Sequence, residues 1–562
     1  MKFMMDLQEI IDRTVAAYAP LVKAASEAYW EGTTTGSAEA FERYAEVNKK
    51  MTELFSDSRT FAELHRIKES GSVTEPVLKR QLNELYNSFL ARQADKSLLN
   101  AIIDKETELE RKYAAFRAEF RGRKINDNEV ERLLKGSCDP AELQEVWEAH
   151  KAVGREVASD VLDVVRLRNR LADALGFTNY HSMSLMLSGE KPREVELLMN
   201  EVDELSRGSF ATVKAELDEA MALRCRIPQS ELRPWHYQGR FFQEAPDLYP
   251  VDFDKYYKGR DLERLTVDYY RSIGLDVEPM LRRSDLYPRE GKNQHAFCID
   301  MDCMGDVRVL CNLTDNERWM ETMLHEFGHA AYSVGHDLGT TLRAGGRGPE
   351  SFSPVTGGSG AASHRLPFLL RESAAIFTTE GVAMMFGRLS RNPEWMRLNL
   401  GISSGEAERI APDCRRAARL SQLVQSRFMQ VVYRFEKAMY ADPEQDLNAL
   451  WRSLVEKYQL LAYPEGRDEP DWAAKIHIAL YPCYYHNYQL GELFASQMHH
   501  CIVENVTRSG NLPSDSYTGC PEVGRWLTEN IFSVGKLYPW NEMITRATGE
   551  KLTAAYWAAE VR

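Results

Sequence analysis

From Met1 to about Ile227 apolar residues recur at helical spacing, in long amphipathic stretches such as LLNAIIDKETELERKYAAFRAEF and DVLDVVRLRNRLADALGF. No period of 20–50 residues repeats, which argues against a solenoid. Between Pro228 and Pro250 the aromatic and proline density rises, in RPWHYQGRFFQEAPDLYP, and predicts an ordered, irregular segment that packs its aromatics. Residues 295–313, HAFCIDMDCMGDVRVLCNL, are the best strand candidate, two β-rich runs flanking MGD, where a tight turn fits. Asp315 and Asn316 then cap a helix that runs through RWMETMLHEFGHAAYSV.

The next segment differs in character. Gly339 to His364 spans 26 residues, seven of them Gly, with no apolar periodicity, and reads as a loop or insertion. A helix resumes near Pro367 and carries LPFLLRESAAIFTTEGVAMMFGRL. Further helices fill 405–440 and 444–463, followed by the aromatic run LYPCYYHNYQLGELFASQ.

Composition narrows the class without choosing a fold. The 562 residues are 44% apolar and 27% charged, the balance of a globular protein and not of a disordered or collagen-like chain. A formal net charge of −14 disfavours nucleic acid or an anionic membrane as primary partner, although RGRK at 121–124 forms a local basic patch. The start, MKFMMDLQEIIDRT, meets polar residues before any apolar core of a signal could form, and no run of 18 apolar residues occurs. A cytoplasmic location is the expectation. The nine cysteines, an odd number without a CxxC pair, do not make a disulfide framework. Cys298, Cys303 and Cys311 are clustered enough to raise a metal site, but no zinc-finger spacing follows, and buried free thiols are the better reading.

His325-Glu326-Phe327-Gly328-His329 is an HExxH sequence on a predicted helix. Residues at i and i+4 lie one turn apart on one face, so two imidazoles can hold one zinc ion, and the intervening Glu can act on the attacking water as general base. The alternative is a pair of structural helix histidines. Zinc hydrolases of this type need a third protein ligand, and Glu350, Glu372 and Glu380 compete for that role. Glu350 lies in the Gly-rich segment, where nothing rigid would hold a ligand. Glu372 and Glu380 share a predicted helix on similar faces, and spacing does not separate them. His336 and His364 read as surface loop residues.

A second constellation is Lys475, His477, Tyr481, Tyr485 and Tyr488. Lys475 and His477, two apart in an extended approach, point the same way, and tyrosines at i, i+4 and i+7 share a helix face. An ammonium, an imidazole and phenols aimed into one cavity suit an anionic group and a developing oxyanion. Tyrosines at this spacing also make ordinary core stripes.

HEFGH, the TTEGVAM segment containing Glu380, and AAKIHI followed by YYHNY resemble the angiotensin-converting-enzyme family of zinc dipeptidyl carboxypeptidases and, more distantly, the thimet-type oligopeptidases. DPAELQEVWEAHKAVGREV, VRLRNRLADALGFTNYHSM, HAFCID and GDVRVLCNLT extend the likeness over roughly residues 20 to 540. In that family the third ligand is a Glu roughly 25 residues beyond the second His. From His329 to Glu380 the interval is 51 residues, and without the 26 of Gly339 to His364 it is 25. The resemblance thus implies Glu380 as ligand and the Gly-rich segment as an insertion. It further implies Glu326 as general base, Tyr488 and His477 as oxyanion donors, and Lys475 and Tyr485 as the clamp on the substrate's terminal carboxylate. His295 and the backbone of Ala296, on an edge strand, would contact the peptide by strand addition. Two departures stand out. Asn487 sits where mammalian members have a chloride-binding arginine, and Met384 where they have an aspartate behind the metal.

The expectation is a mainly α, single zinc peptidase domain over residues 1–562, its two halves flanking a deep cleft with a small β-sheet at the wall, interrupted by the 339–364 insertion. It would bind one zinc ion per chain and hydrolyse oligopeptides with a free C-terminus, releasing C-terminal dipeptides. The rivals are an internally cutting oligopeptidase, a single-residue carboxypeptidase, and an inactive peptidase-like binding protein. The oligomeric state is left open.

Overall fold

In the computed structural model the described residues are 2–342 and 366–562, apart from 247, 250 and 513, with the backbone alone described for 2–5 and 336–342. Nearly all regular structure is helical. Among the described residues the strands form only two antiparallel hairpins. The chain divides into two compact units, one made of Met1–Gln93, Asp252–Ala411 and Gly491–Leu552, the other of Ala94–Val251, Pro412–Leu490 and Thr553–Arg562. No described helix is long and apolar enough to cross a membrane.

In the first unit the N-terminal helices bury Leu7, Ile10, Ile11, Phe55, Leu64, Leu82 and Phe89 in a common core. The predicted strand region folds as a hairpin of β3 (Phe297–Asp300) and β4 (Val307–Leu310), in register Phe297↔Leu310 to Asp300↔Val307. Its turn is longer than MGD and runs from Met301 to Asp306, with Cys303 at φ 53° and Gly305 at φ 106°. The far side of β4 is covered by Asp285, whose N–H donates to Val309 O and whose carbonyl accepts from Cys311 N–H, each at 2.9 Å. Among the described residues β3 pairs only with β4. His295 and Ala296 lie just before β3, not within it. Lys292 fixes the approach to that strand, its buried ammonium donating to Asp285 O, Asp285 Oδ1, Tyr287 O and Cys311 O at 2.5–2.9 Å.

Helix α1 (Glu317–Leu342) carries the HExxH sequence. Asn316 caps it, accepting the Trp319 N–H at 3.0 Å. Asp315 does not, because its carboxylate accepts from Gly259 N–H instead, and Asp254 supplies the acceptor for Glu317 N–H. The helix continues through Leu342, so Gly339–Leu342 is helical and not part of a loop. The rest of the Gly-rich segment, with Glu350 and His364, lies outside the described residues, as does the side chain of His336.

The second unit packs Val130, Leu134, Leu143, Val146, Trp147 and Trp235 around a hairpin of β1 (Ala118–Phe120) and β2 (Arg123–Ile125) that periodicity reads as helix. RGRK at 121–124 spans its turn and the first two residues of β2, with Arg121 and Gly122 at positive φ. Arg121 pairs with Glu142 and Glu145, while Arg123 and Lys124 are exposed.

Candidate functional site

The expected helix from Pro367 breaks into a short 3₁₀ turn at Phe368–Leu370, an irregular stretch, and helix α2 (Ile376–Gly387). Glu372 and Glu380 therefore do not share a helix. Glu372 is exposed and pairs with Lys536, while Glu380 lies on α2 and turns toward the two histidines of α1. His325 Nε2 and His329 Nε2 stand 3.2 Å apart, and Glu380 Oε2 is 3.8 and 4.0 Å from them. A point equidistant from these three atoms is about 2.1 Å from each, which is the length of a zinc–imidazole bond. Among the described residues, no other set of three or more His, Cys, Asp and Glu side chains converges in this way. Cys298, Cys303 and Cys311 belong to no such group and are free thiols.

Close helix packing makes this convergence possible. A Cβ on Gly328 would meet Ala383 Cα of α2 at 3.0 Å, and one on Gly381 would meet Gly491 O and the Phe494 ring at 2.9 Å. Thr378 secures the first turn of α2 by donating to Ala375 O at 2.7 Å. Its neighbour Thr379 reaches across to α1, its hydroxyl 2.7 Å from His329 Nδ1. Periodicity offered no signal for Thr379 beyond its place next to Glu380.

Burial lowers the pKa of His325 to about 4, and burial together with the nearby His325 lowers His329 to about 3. Both imidazoles are neutral, the form that binds a metal. Glu326 is buried, and burial followed by the Glu380 carboxylate raises it to about 8 against the opposing pull of the Cys298 N–H.

The second constellation lies in the other unit. Lys475 precedes helix α3 (Ile476–Leu480), which carries His477. Tyr481 and Tyr485 are in the connecting loop and only Tyr488 is on helix α4 (His486–Cys501), so the three tyrosines do not form one helix face. Cys483, at φ 58°, turns the loop, and its N–H is held by Glu436 at 2.8 Å. The loop still gathers the predicted groups. The Lys475 ammonium and the His477 ring lie 5.2 and 5.3 Å from the Tyr485 ring, and Tyr488 is 5.4 Å from it. Tyr481 is exposed, beside His477. Lys475 is buried among Phe241, Phe428 and Tyr485 and donates to Gln243 Oε1 at 2.6 Å. Burial, then Arg240, lowers it to about 7. Gln243, the one amide in the aromatic stretch FFQEAP, belongs to no motif that would mark it in the sequence. His477 is lowered to about 4 by burial and then by Lys475, and its buried Nδ1 has no partner among the described residues.

Comparison with known proteins places the chain among metallopeptidases. A carboxypeptidase Taq (M32) metallopeptidase model matches residues 433–562, which include the Lys475 to Tyr488 constellation. Thermostable carboxypeptidase 1 of Pyrococcus furiosus is 23% identical over 335 residues, 57% of this chain, and the chain covers 60% of the length of that curated relative. An angiotensin-converting-enzyme model of the M2 peptidases matches residues 4–347, which include β3, β4 and the HExxH sequence. Glu380 falls between the two matched ranges. With more than half of its length matched by that model, the chain belongs to the angiotensin-converting-enzyme family of metallopeptidases.

Proposed function

We propose that this chain is a zinc peptidase that releases dipeptides from the C-terminus of oligopeptides, the whole chain acting as one peptidase domain. The observation that carries the reading is the triangle of His325, His329 and Glu380, two neutral imidazoles and a carboxylate at zinc-binding separations. These three would hold the ion, which when bound supplies Lewis-acid polarisation of the scissile carbonyl and acidifies the attacking water. Glu326 takes a proton from that water and hands it to the leaving amine. Burial, which raises this carboxyl above the ordinary carboxylate range, suits a group that takes up a proton and then gives it away. Tyr488 and His477 donate to the oxyanion.

Lys475 and Tyr485, with Gln243 orienting the ammonium, hold the terminal carboxylate of the substrate. Extended backbone beside His295 and Ala296 fits the unpaired side of β3, where strand addition would align the peptide. The 339–364 region is an insertion in the family framework.

A second reading, release of one residue at a time, is favoured by the carboxypeptidase match over the segment that bears the clamp. One experiment separates the two. An N-terminally blocked decapeptide with a free C-terminus is incubated with the protein, with and without chelator, and the products are weighed by mass spectrometry. Chelator-sensitive loss of two residues supports the proposal, loss of one supports the second reading, and internal cuts reject the clamp. No cleavage by zinc-loaded protein would point to a binding protein.

A further inference from the structure

A histidine binds a metal through one ring nitrogen and needs a partner for the other, because that partner fixes the tautomer and the ring's orientation. His329 has such a partner in Thr379, whose Oγ1 lies 2.7 Å from Nδ1. With Nε2 turned toward His325 Nε2 and Glu380, the lone pair needed there requires the proton on Nδ1, so the threonine hydroxyl acts as acceptor.

We infer that Thr379 is a positioning residue for the metal, its hydroxyl accepting the His329 Nδ1–H and holding Nε2 ready to bind. The inference rests on the zinc reading above.

The neighbouring Thr378 is engaged at the start of its own helix, where it donates to Ala375 O and accepts from Ala375 N–H. Thr379 and Glu380 are adjacent on α2, so a single turn of that helix supplies one ligand directly and orients a second on α1. One turn further on, Met384 offers a thioether and no carboxylate. The acceptor behind His329 is thus a neutral hydroxyl, which polarises the imidazole less than a carboxylate would. Any displacement of α2 moves Glu380 and the support of His329 together.

The test is zinc affinity, measured on metal-free protein by competition with a chromophoric chelator. Thr379→Val keeps the shape and removes the acceptor, and should weaken zinc binding 10–100-fold. Thr379→Ser restores the hydroxyl and should lie within about threefold of wild type. The thermal midpoints of the metal-free variants should match that of wild type. Equal zinc affinity in Thr379→Val and wild type would overturn the inference while leaving the zinc site intact. Equal weakening in Val and Ser variants would also overturn it, because the hydroxyl that Ser retains would then not be what supports His329. If Thr379→Val does not fold, the tautomer of His329 in metal-free wild type decides, by nitrogen chemical shifts: protonated Nδ1 supports the inference and protonated Nε2 rejects it. A wild-type protein that binds no zinc would refute the metal reading itself, and the inference with it.

Discussion

Burial drives the Glu326 carboxyl up to about 8 and the Lys475 ammonium down to about 7, because each loses the water that favours its charged form. Glu326→Gln keeps the size and hydrogen bonding of the side chain but cannot carry the proton. It should retain one zinc per chain while kcat falls by about 10²–10⁴, measured by metal analysis and steady-state kinetics. Full turnover would remove Glu326 from the role of base. For Lys475 the sign follows from the depressed value. The folded chain releases this proton near pH 7, whereas an unfolded chain keeps it to about 10.4, so stability rises with pH across that window. Substrate capture runs the other way, since only the charged form grips a carboxylate. kcat/KM toward free C-termini should fall as pH rises above about 7, and Lys475→Met should lower kcat/KM and abolish that limb. A pH–rate profile of both proteins checks this. The sequence made the chemistry of these two groups legible, but not their displaced pKa values, because burial arises from residues distant in the chain such as Phe241 and Phe428.

At the scale of elements, the centre depends on how closely α2 can approach its neighbours. Gly381→Ala would set a methyl 2.9 Å from the Gly491 carbonyl oxygen and from the Phe494 ring. Overpacking of this kind costs about 1–3 kcal/mol, and it should displace Glu380 enough to weaken zinc binding, as read by a thermal melt and a zinc titration. A melting point and affinity equal to wild type would show that α2 has room to spare. The interrupted segment gives a second case. Since α1 extends through Leu342, a deletion should begin after that residue. Removing 343–364 should leave a folded chain with one zinc, because each doubling of loop length changes closure entropy by only about 0.6 kcal/mol. Loss of helicity in circular dichroism would instead make the segment structural. Helix α1 was readable from its apolar period and its capping Asn316. The break before α2 was not, since Leu369, Leu370 and Phe377 keep an apolar character on both sides of it. The same holds for Tyr481 and Tyr485, whose helical spacing survives in a loop that the Glu436 carboxylate and a left-handed Cys483 hold in place.

For the molecule as a whole, all four residues assigned to the metal and the base lie in the stretch Asp252–Ala411 of one unit. Zinc should therefore stabilise the folded state of that unit, by about 4 kcal/mol at a free concentration 1,000 times its Kd. Dialysis against chelator should lower the thermal midpoint, and zinc should restore it, in scanning calorimetry. A midpoint indifferent to both would argue that the three ligands hold no metal. The amino-acid sequence by itself determined the helical class, the two histidines and their glutamate one turn apart, and the residue types of the Lys475 to Tyr488 group. Those are local properties, set by a 3.6-residue period and by side-chain chemistry. Only the tertiary structure set Glu380, and not Glu372, beside the two histidines, brought Thr379 to His329 and Gln243 to Lys475, and folded RGRK into a hairpin. Each of those outcomes depends on which distant segments pack together, and packing is fixed by shape, burial and close backbone approach at positions such as Gly328 and Gly381 that no local period reveals.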